Sequence, residues 1–224
     1  MTRVLGVDGA AGEWLAVLLV DGYFAGADLK PTVAALLDRY PDAEVVAVDI
    51  PIGLPVGRTR PADDAARRFV GGERSASVFP TFPRDVLMAE SYEDALKKAR
   101  GMVDRGLSRQ AYALRDRIDE VADLAAADKR VVEVHPEVSF RAMKGTPLRY
   151  SKHTWSGLAE RRTLLASVGI LLHDELTGGE RAAPDDVVDA AAAAWSAMRI
   201  AEGRSATLPA EPSGDPADGG VIRY

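Results

Sequence analysis

The chain opens with short apolar runs. Val4-Leu5-Gly6-Val7 stops at Asp8, Glu13–Val20 follows, and Tyr23–Asp28 comes after an Asp21-Gly22 turn signal. Three such runs with short, glycine-bearing connections predict an antiparallel meander. From Pro31 onward the period changes, and Val33, Leu36 and Leu37 fall at helical spacing. Glu44–Asp49 is a β-branched run of the buried type that again ends in an aspartate, and Pro51 stops it. Helical patterns cover Pro61–Val70, Tyr92–Ala99, Ser108–Ala127 and Glu160–Val168, and Arg130–Val134 reads as a strand. Pro184 stands just ahead of the longest helix, which is rich in alanine and runs from Asp185 to Glu202.

The order β-β-β-α-β, then helices, a strand and a closing helix predicts an α/β fold. Its sheet is mixed, three antiparallel strands followed by parallel ones, with helices on its flanks. One domain is expected over residues 1–208. Within it, 51–83 is rich in Gly, Pro and Arg and long enough for a substrate or lid loop, and 90–127 reads as a helical insertion. The tail, 209–224, has little to bury and is expected to be loose until Val221-Ile222.

The 224 residues are 47% hydrophobic and 28% charged, the balance of a globular protein with a real core. No apolar run reaches the roughly 20 residues that span a bilayer. Met1-Thr2-Arg3 leads directly into a strand, so no signal peptide is read and a cytoplasmic location is expected. The absence of cysteine removes disulfides, thiolate catalysis and Cys-ligated metals. A net charge of −6 argues against a general nucleic-acid coat. Two basic islands nevertheless stand out. Arg58–Arg84 sets six arginines against three acids, and Arg141–Arg162 sets six basic residues against Glu160.

Candidate chemistry lies in the acids. Asp8 and Asp49 end two buried-type strands, Glu133 lies on the next strand, and Asp186 and Asp189 share one face of the last helix. Gathered carboxylates repel unless a cation sits between them, and Mg²⁺ or Mn²⁺ takes such oxygen donors. Each acid also has a plainer use: Asp8 as a turn cap at Gly9, Asp49 as a partner for Arg84, Asp185 and Asp186 as first-turn residues favoured by the helix dipole. Two separate strands ending in aspartate make the collective reading the sharper one. No Walker loop, Rossmann fingerprint or serine-nucleophile motif is present.

The strings GVDGAAGEWLAV, AVDIPIGLP, SVFPTFPR, EVHPEVSF and APDDVVDAAAAAW, spread from Gly6 to Trp195, resemble the bacterial and archaeal family "domain of unknown function 429". That family is grouped with the ribonuclease H-like fold and is predicted to contain nucleases. Asp186-Val-Val-Asp189-Ala190 further resembles the D-x-x-D-A helix of RuvC-type junction resolvases, whose other acids end the first and fourth strands. The resemblance implies metal ligation by Asp8, Asp49, Asp186 and Asp189, with Asp49 one methylene shorter than the glutamate of RuvC.

Further candidates surround these acids. Glu133, His135 and Glu137 alternate with apolar residues, so Glu133 becomes an additional catalytic acid and His135 a proton shuttle or a buttress. Ser77 and Arg84 fall in the lid segment as substrate contacts, and Lys152 and Arg162 in the second island as phosphate contacts. Trp155 reads equally as a base-stacking platform and as core. The leading expectation is an enzyme that cleaves phosphodiesters, in nucleic acid or a smaller phosphoester, with Mg²⁺ or Mn²⁺. An ATP-dependent phosphotransferase and a non-catalytic nucleic-acid or nucleotide-binding module are the rivals, and salt-bridged acids would favour the module.

Overall fold

A computed structural model describes residues 1–224. Strands β1 (Arg3–Ala10), β2 (Glu13–Val20) and β3 (Tyr23–Lys30) form the meander. Ala11 and Gly12 close the first hairpin and Asp21 and Gly22 the second, each pair with positive φ, the backbone of a two-residue hairpin turn. Helix α1 (Val33–Arg39) then returns the chain, so that β4 (Val45–Val48) lies parallel to β1. After β4 come the long segment holding α2 (Pro61–Val70) and α3 (Arg84–Leu87), then α4 (Tyr92–Val103), α5 (Arg109–Ala113) and α6 (Arg115–Ala127). Strand β5 (Val131–Glu133) adds parallel to β4, giving a mixed sheet ordered β3-β2-β1-β4-β5. Helices α7 (Pro136–Lys144), α8 (Trp155–Ser167) and α9 (Pro184–Ala201) complete the domain. No helix is long and apolar enough to cross a membrane.

Strand alternation divides the core into two layers. Leu5, Val7, Val46, Val48 and Val131 face one side, where Ala95, Ile118 and Val121 of α4 and α6 cover them. Val4, Val45, Ala47 and Val134 face the other, against Phe140 of α7, Leu165 of α8 and the alanines of α9. On this second side α9 rests directly on β1. A Cβ at Gly6 would lie 1.9 Å from the Ala194 nitrogen and 2.1 Å from the Ala190 carbonyl oxygen. Glycine on the strand and alanine on the helix are what permit that approach.

Three features depart from expectation. Helix α7 follows β5 without an interval, because His135 caps it and Pro136 takes its first turn, where a missing N–H costs nothing. Helix α8 begins at Trp155, five residues before Glu160, with Thr154 as its cap. The tail is tied down more firmly than its composition suggests. β6 (Thr207–Leu208) pairs with β7 (Ile222–Arg223), Ile222 is buried, and the Gly219 carbonyl accepts from Arg60.

The Gly6 contact yields a test. Gly6→Ala has to push α9 off the sheet, and overpacking of this kind costs about 1–3 kcal/mol or more. Gly101→Ala, on α4 with open space around its Cβ, should stabilise by about 0.5–1 kcal/mol. Urea midpoints of the two variants should therefore move in opposite directions from the parent.

Candidate active site

Parallel pairing places the two strand-terminal aspartates side by side. Val7 is in register with Val48, and the Asp49 N–H donates to the Val7 carbonyl at 2.9 Å. Alternation turns both Asp8 and Asp49 toward the α9 layer, where Asp189 enters from the helix. All three line one cleft of about 400 Å³. Asp186 stands nearer the rim, half-buried on the same helix, and its charge still reaches Asp8.

Lys152 is the cation of this cluster. Its Nζ donates to Asp189 Oδ2, and the charges of Asp8 and Asp49 also hold the ammonium above its ordinary value although burial opposes them. One cation does not balance the acids. Burial, then Asp49 and Asp189, raise the Asp8 carboxyl well above the usual carboxylate range. Burial also raises Asp49, with His135 and Lys152 pulling it back and Glu137 pushing it up. Asp189 is pushed up to about 7 by burial, restrained by Lys152, with Asp49 and Glu137 adding repulsion. Asp189 Oδ1 is buried and has no hydrogen-bond partner. Asp8 Oδ1 accepts from the N–H of Gly9 at 2.7 Å.

Glu137 is the acid whose place the sequence does not make obvious. It lines the cleft from the first turn of α7, buried, with Oε2 lacking a partner while Oε1 accepts from the fully buried Arg161. Arg161 also donates to the carbonyls of Tyr150 and Gly157, tying α8 and the turn before it to α7. His135 lines the cleft as well. Its Nδ1 accepts from the Glu137 N–H at 3.2 Å, which leaves Nε2 as the free ring nitrogen.

Glu133 does not join the cluster. It is in register with Val48, so it points to the opposite face of the sheet from Asp49. There it accepts from both terminal nitrogens of Arg60 at 2.5 and 2.6 Å and from the Ile52 N–H at 2.7 Å. Burial lowers Arg60, but Glu133 and then Asp63 more than offset this and hold the guanidinium charged. Arg84 and Arg162 also stay outside the cleft, in exposed pairs with Asp119 and Asp174. The basic islands are thus largely neutralised internally: Arg58 meets Asp215 and Asp218, and Lys144 meets Glu160. Arg74, Lys152 and His153 are the basic residues that the islands contribute to the cleft walls, and Ser77 lies there too.

Arg117 is a further cleft residue, and it comes from α6, outside both islands. Its guanidinium lies 4.8 Å from the Trp14 ring centroid, with one nitrogen against Gly9 where a Cβ would be 2.1 Å away. Gly9 therefore makes room for an arginine beside the turn that carries Asp8. Neither Arg117 nor Arg74 has a carboxylate partner.

Comparison with known proteins bears on this site. Residues 6–214 match the family described as "protein of unknown function (DUF429)". The chain belongs to this family. The matched span takes in every acid of the cleft, together with Lys152, Arg74 and Arg117. No curated protein and no solved structure matches the chain.

The cluster predicts a pH signature. An acid whose folded-state value is raised binds more protons folded than unfolded between the two values, so folding stability falls as pH rises through that window. For Asp189 the window runs from the ordinary 3.8 to about 7. With metal chelated, Asp189→Asn should lose less stability than the parent between pH 4 and 7. Equal slopes in pH-dependent melts would place the repulsion elsewhere.

Proposed function

We propose that this cleft is the active site of a divalent-metal-dependent phosphodiester hydrolase of ribonuclease H-like fold, acting on nucleic acid. The observation that carries the reading is the meeting of Asp8, Asp49 and Asp189 from two parallel strand ends and one helix. They meet in a cleft where their mutual repulsion is incompletely neutralised. Strained carboxylates of this kind gather where chemistry needs them.

The donors suit Mg²⁺ or Mn²⁺ in kind: hard carboxylate oxygens, among them the unpartnered Asp189 Oδ1. No three carboxylates or imidazoles converge on one point closely enough to ligate an ion alone. Mg²⁺ does not demand that, since it commonly keeps several waters and takes one or two carboxylates plus substrate phosphate oxygens. One or two of Asp8, Asp49 and Asp189 would hold the ion directly, with Asp186 at the rim. When bound, the ion supplies a neutralising charge and an activated water for attack on phosphorus. The chain's own groups do the rest. Arg74 and Arg117 offer guanidinium N–H groups to non-bridging phosphate oxygens. Lys152 holds positive charge over the acids before substrate arrives. His135 presents Nε2 as an atom able to carry a proton.

The ion pair between Lys152 and Asp189 favours a second reading, a phosphate-binding module without catalysis. In that reading Lys152 is the permanent counter-ion of the acids.

A nuclease panel with Mg²⁺ or Mn²⁺ separates the two. The hydrolase cleaves, and Asp8→Asn loses at least about a hundredfold in rate, the scale of a lost electrostatic contribution to the transition state. Melting curves add an independent readout. A cation binding only the folded state stabilises it by about 2.7 kcal/mol at a hundredfold excess over its Kd. Asp8→Asn relieves repulsion, so in chelator it should melt at or above the parent, and its gain from metal should shrink. A variant that melts lower in chelator with its metal response intact would make Asp8 a structural residue.

A further inference from the structure

From the walls of the cleft we infer that the substrate is a single-stranded stretch of nucleic acid, its bases stacked on Phe79 and Trp155 and its phosphates held by Arg74 and Arg117. The inference rests on the cleft being the phosphodiester site and adds the substrate class. Large aromatic side chains seldom stay in water when a core is available. Here Phe79 is 64% exposed and Trp155 84% exposed. Phe79 lines the cleft on the segment that also brings Arg74 and Ser77. Trp155 begins α8, two residues beyond His153, so it stands beside the Ser151–His153 stretch that forms another part of the wall. Tyr150 flanks the same stretch from the other side, 39% exposed, with the Arg149 guanidinium over its ring.

Exposed rings and guanidiniums free of carboxylate partners are the two components of single-strand recognition, and Phe79, Arg74 and Arg117 line one cleft. Every base has a face to stack, and the backbone needs cations that track it. Charge complementarity points the same way, because Arg74 and Arg117 are cations without carboxylate partners in a chain of net charge −6. Stacking disfavours an intact duplex. Asp8 and Asp189 are buried at the cleft floor, so a phosphate must enter to meet them. A paired backbone, with its bases turned into the helix, presents no free face to Phe79 or Trp155. A splayed strand presents both faces and phosphate.

The test measures binding with metal chelated, so that turnover does not interfere. Fluorescence anisotropy follows labelled twelve-nucleotide single strands of DNA and RNA, and a hairpin duplex of the same length. Single strands should bind at least about tenfold tighter than the duplex. Phe79→Ala and Trp155→Ala should each weaken single-strand binding about tenfold, within the range reported for one stacked base. Both side chains are exposed, so folding is not at risk. Arg117→Gln should weaken binding and reduce its salt dependence. Equal or tighter duplex binding overturns the inference, as does single-strand binding indifferent to both aromatic variants, or no binding at all. Cleavage of bis(p-nitrophenyl) phosphate without oligonucleotide binding would sink this inference and keep the hydrolase. Aromatic-dependent strand binding without cleavage on adding Mn²⁺ would do the reverse.

Discussion

The direct contact of α9 with β1 at Gly6 is the constraint on which the rest of the structure depends. Helices usually stand off a sheet by the length of their side chains. Here the strand has no side chain at the crossing, and the helix offers Ala190, Ala193 and Ala194, all fully buried. The helix therefore approaches far enough for the charge of Asp189, one position before Ala190, to act on the Asp8 carboxylate two residues along the strand. Burial of an alanine face has little specificity by itself, because alanines fit many registers. The glycine supplies the register, since one position alone admits the helix backbone.

Two buried arginines then frame the walls. Arg60 gathers Glu133, Asp63 and the carbonyls of Ile52 and Gly219, joining β5, α2, the segment after β4 and the tail. Asp63 in turn accepts from the Thr81 N–H, which anchors the far end of the lid segment near Phe79. Arg161 does the same for α7, α8 and the turn before α8 that leads to Lys152. Buried ion pairs of this kind add little net stability, but losing one partner costs about 3–5 kcal/mol. Their contribution here is placement. Each fixes irregular backbone that has too few apolar residues to fix itself.

This explains what is legible in the sequence and what is not. The meander, β4, β5 and α9 are legible from period and breakers, and the meeting of Asp8 with Asp49 follows from strand order, while Asp189 is brought in by the resemblance of the last helix to a D-x-x-D-A helix. The misplacement of Glu133 is a matter of parity. Its alternation with His135 and Glu137 holds only while the chain is extended, and the chain turns into α7 at Pro136. One register step puts Glu133 on the opposite face, while a helical turn swings Glu137 into the cleft. The basic islands mislead for a different reason. Charge counted along the chain does not reveal that Arg60 and Arg161 are fully buried. Arg117 leaves no local mark either, because the space it fills is made by Gly9, far away in sequence.

Electrostatics give the cleft its direction. Glu137 has its own cation in Arg161, which leaves Asp8, Asp49 and Asp189 to share one lysine, Lys152. A site built only for stability would balance these charges or replace them with apolar groups. This one leaves Asp189 Oδ1 and Glu137 Oε2 buried without partners. Arg74 and Arg117 cannot repair the deficit within the chain, being placed on the walls rather than at the floor. Excess negative charge below and free positive charge above is the arrangement that a phosphate completes from one side and a cation from the other. Neither alone satisfies both layers, and for that reason the proposed reaction requires metal and phosphodiester in the cleft together.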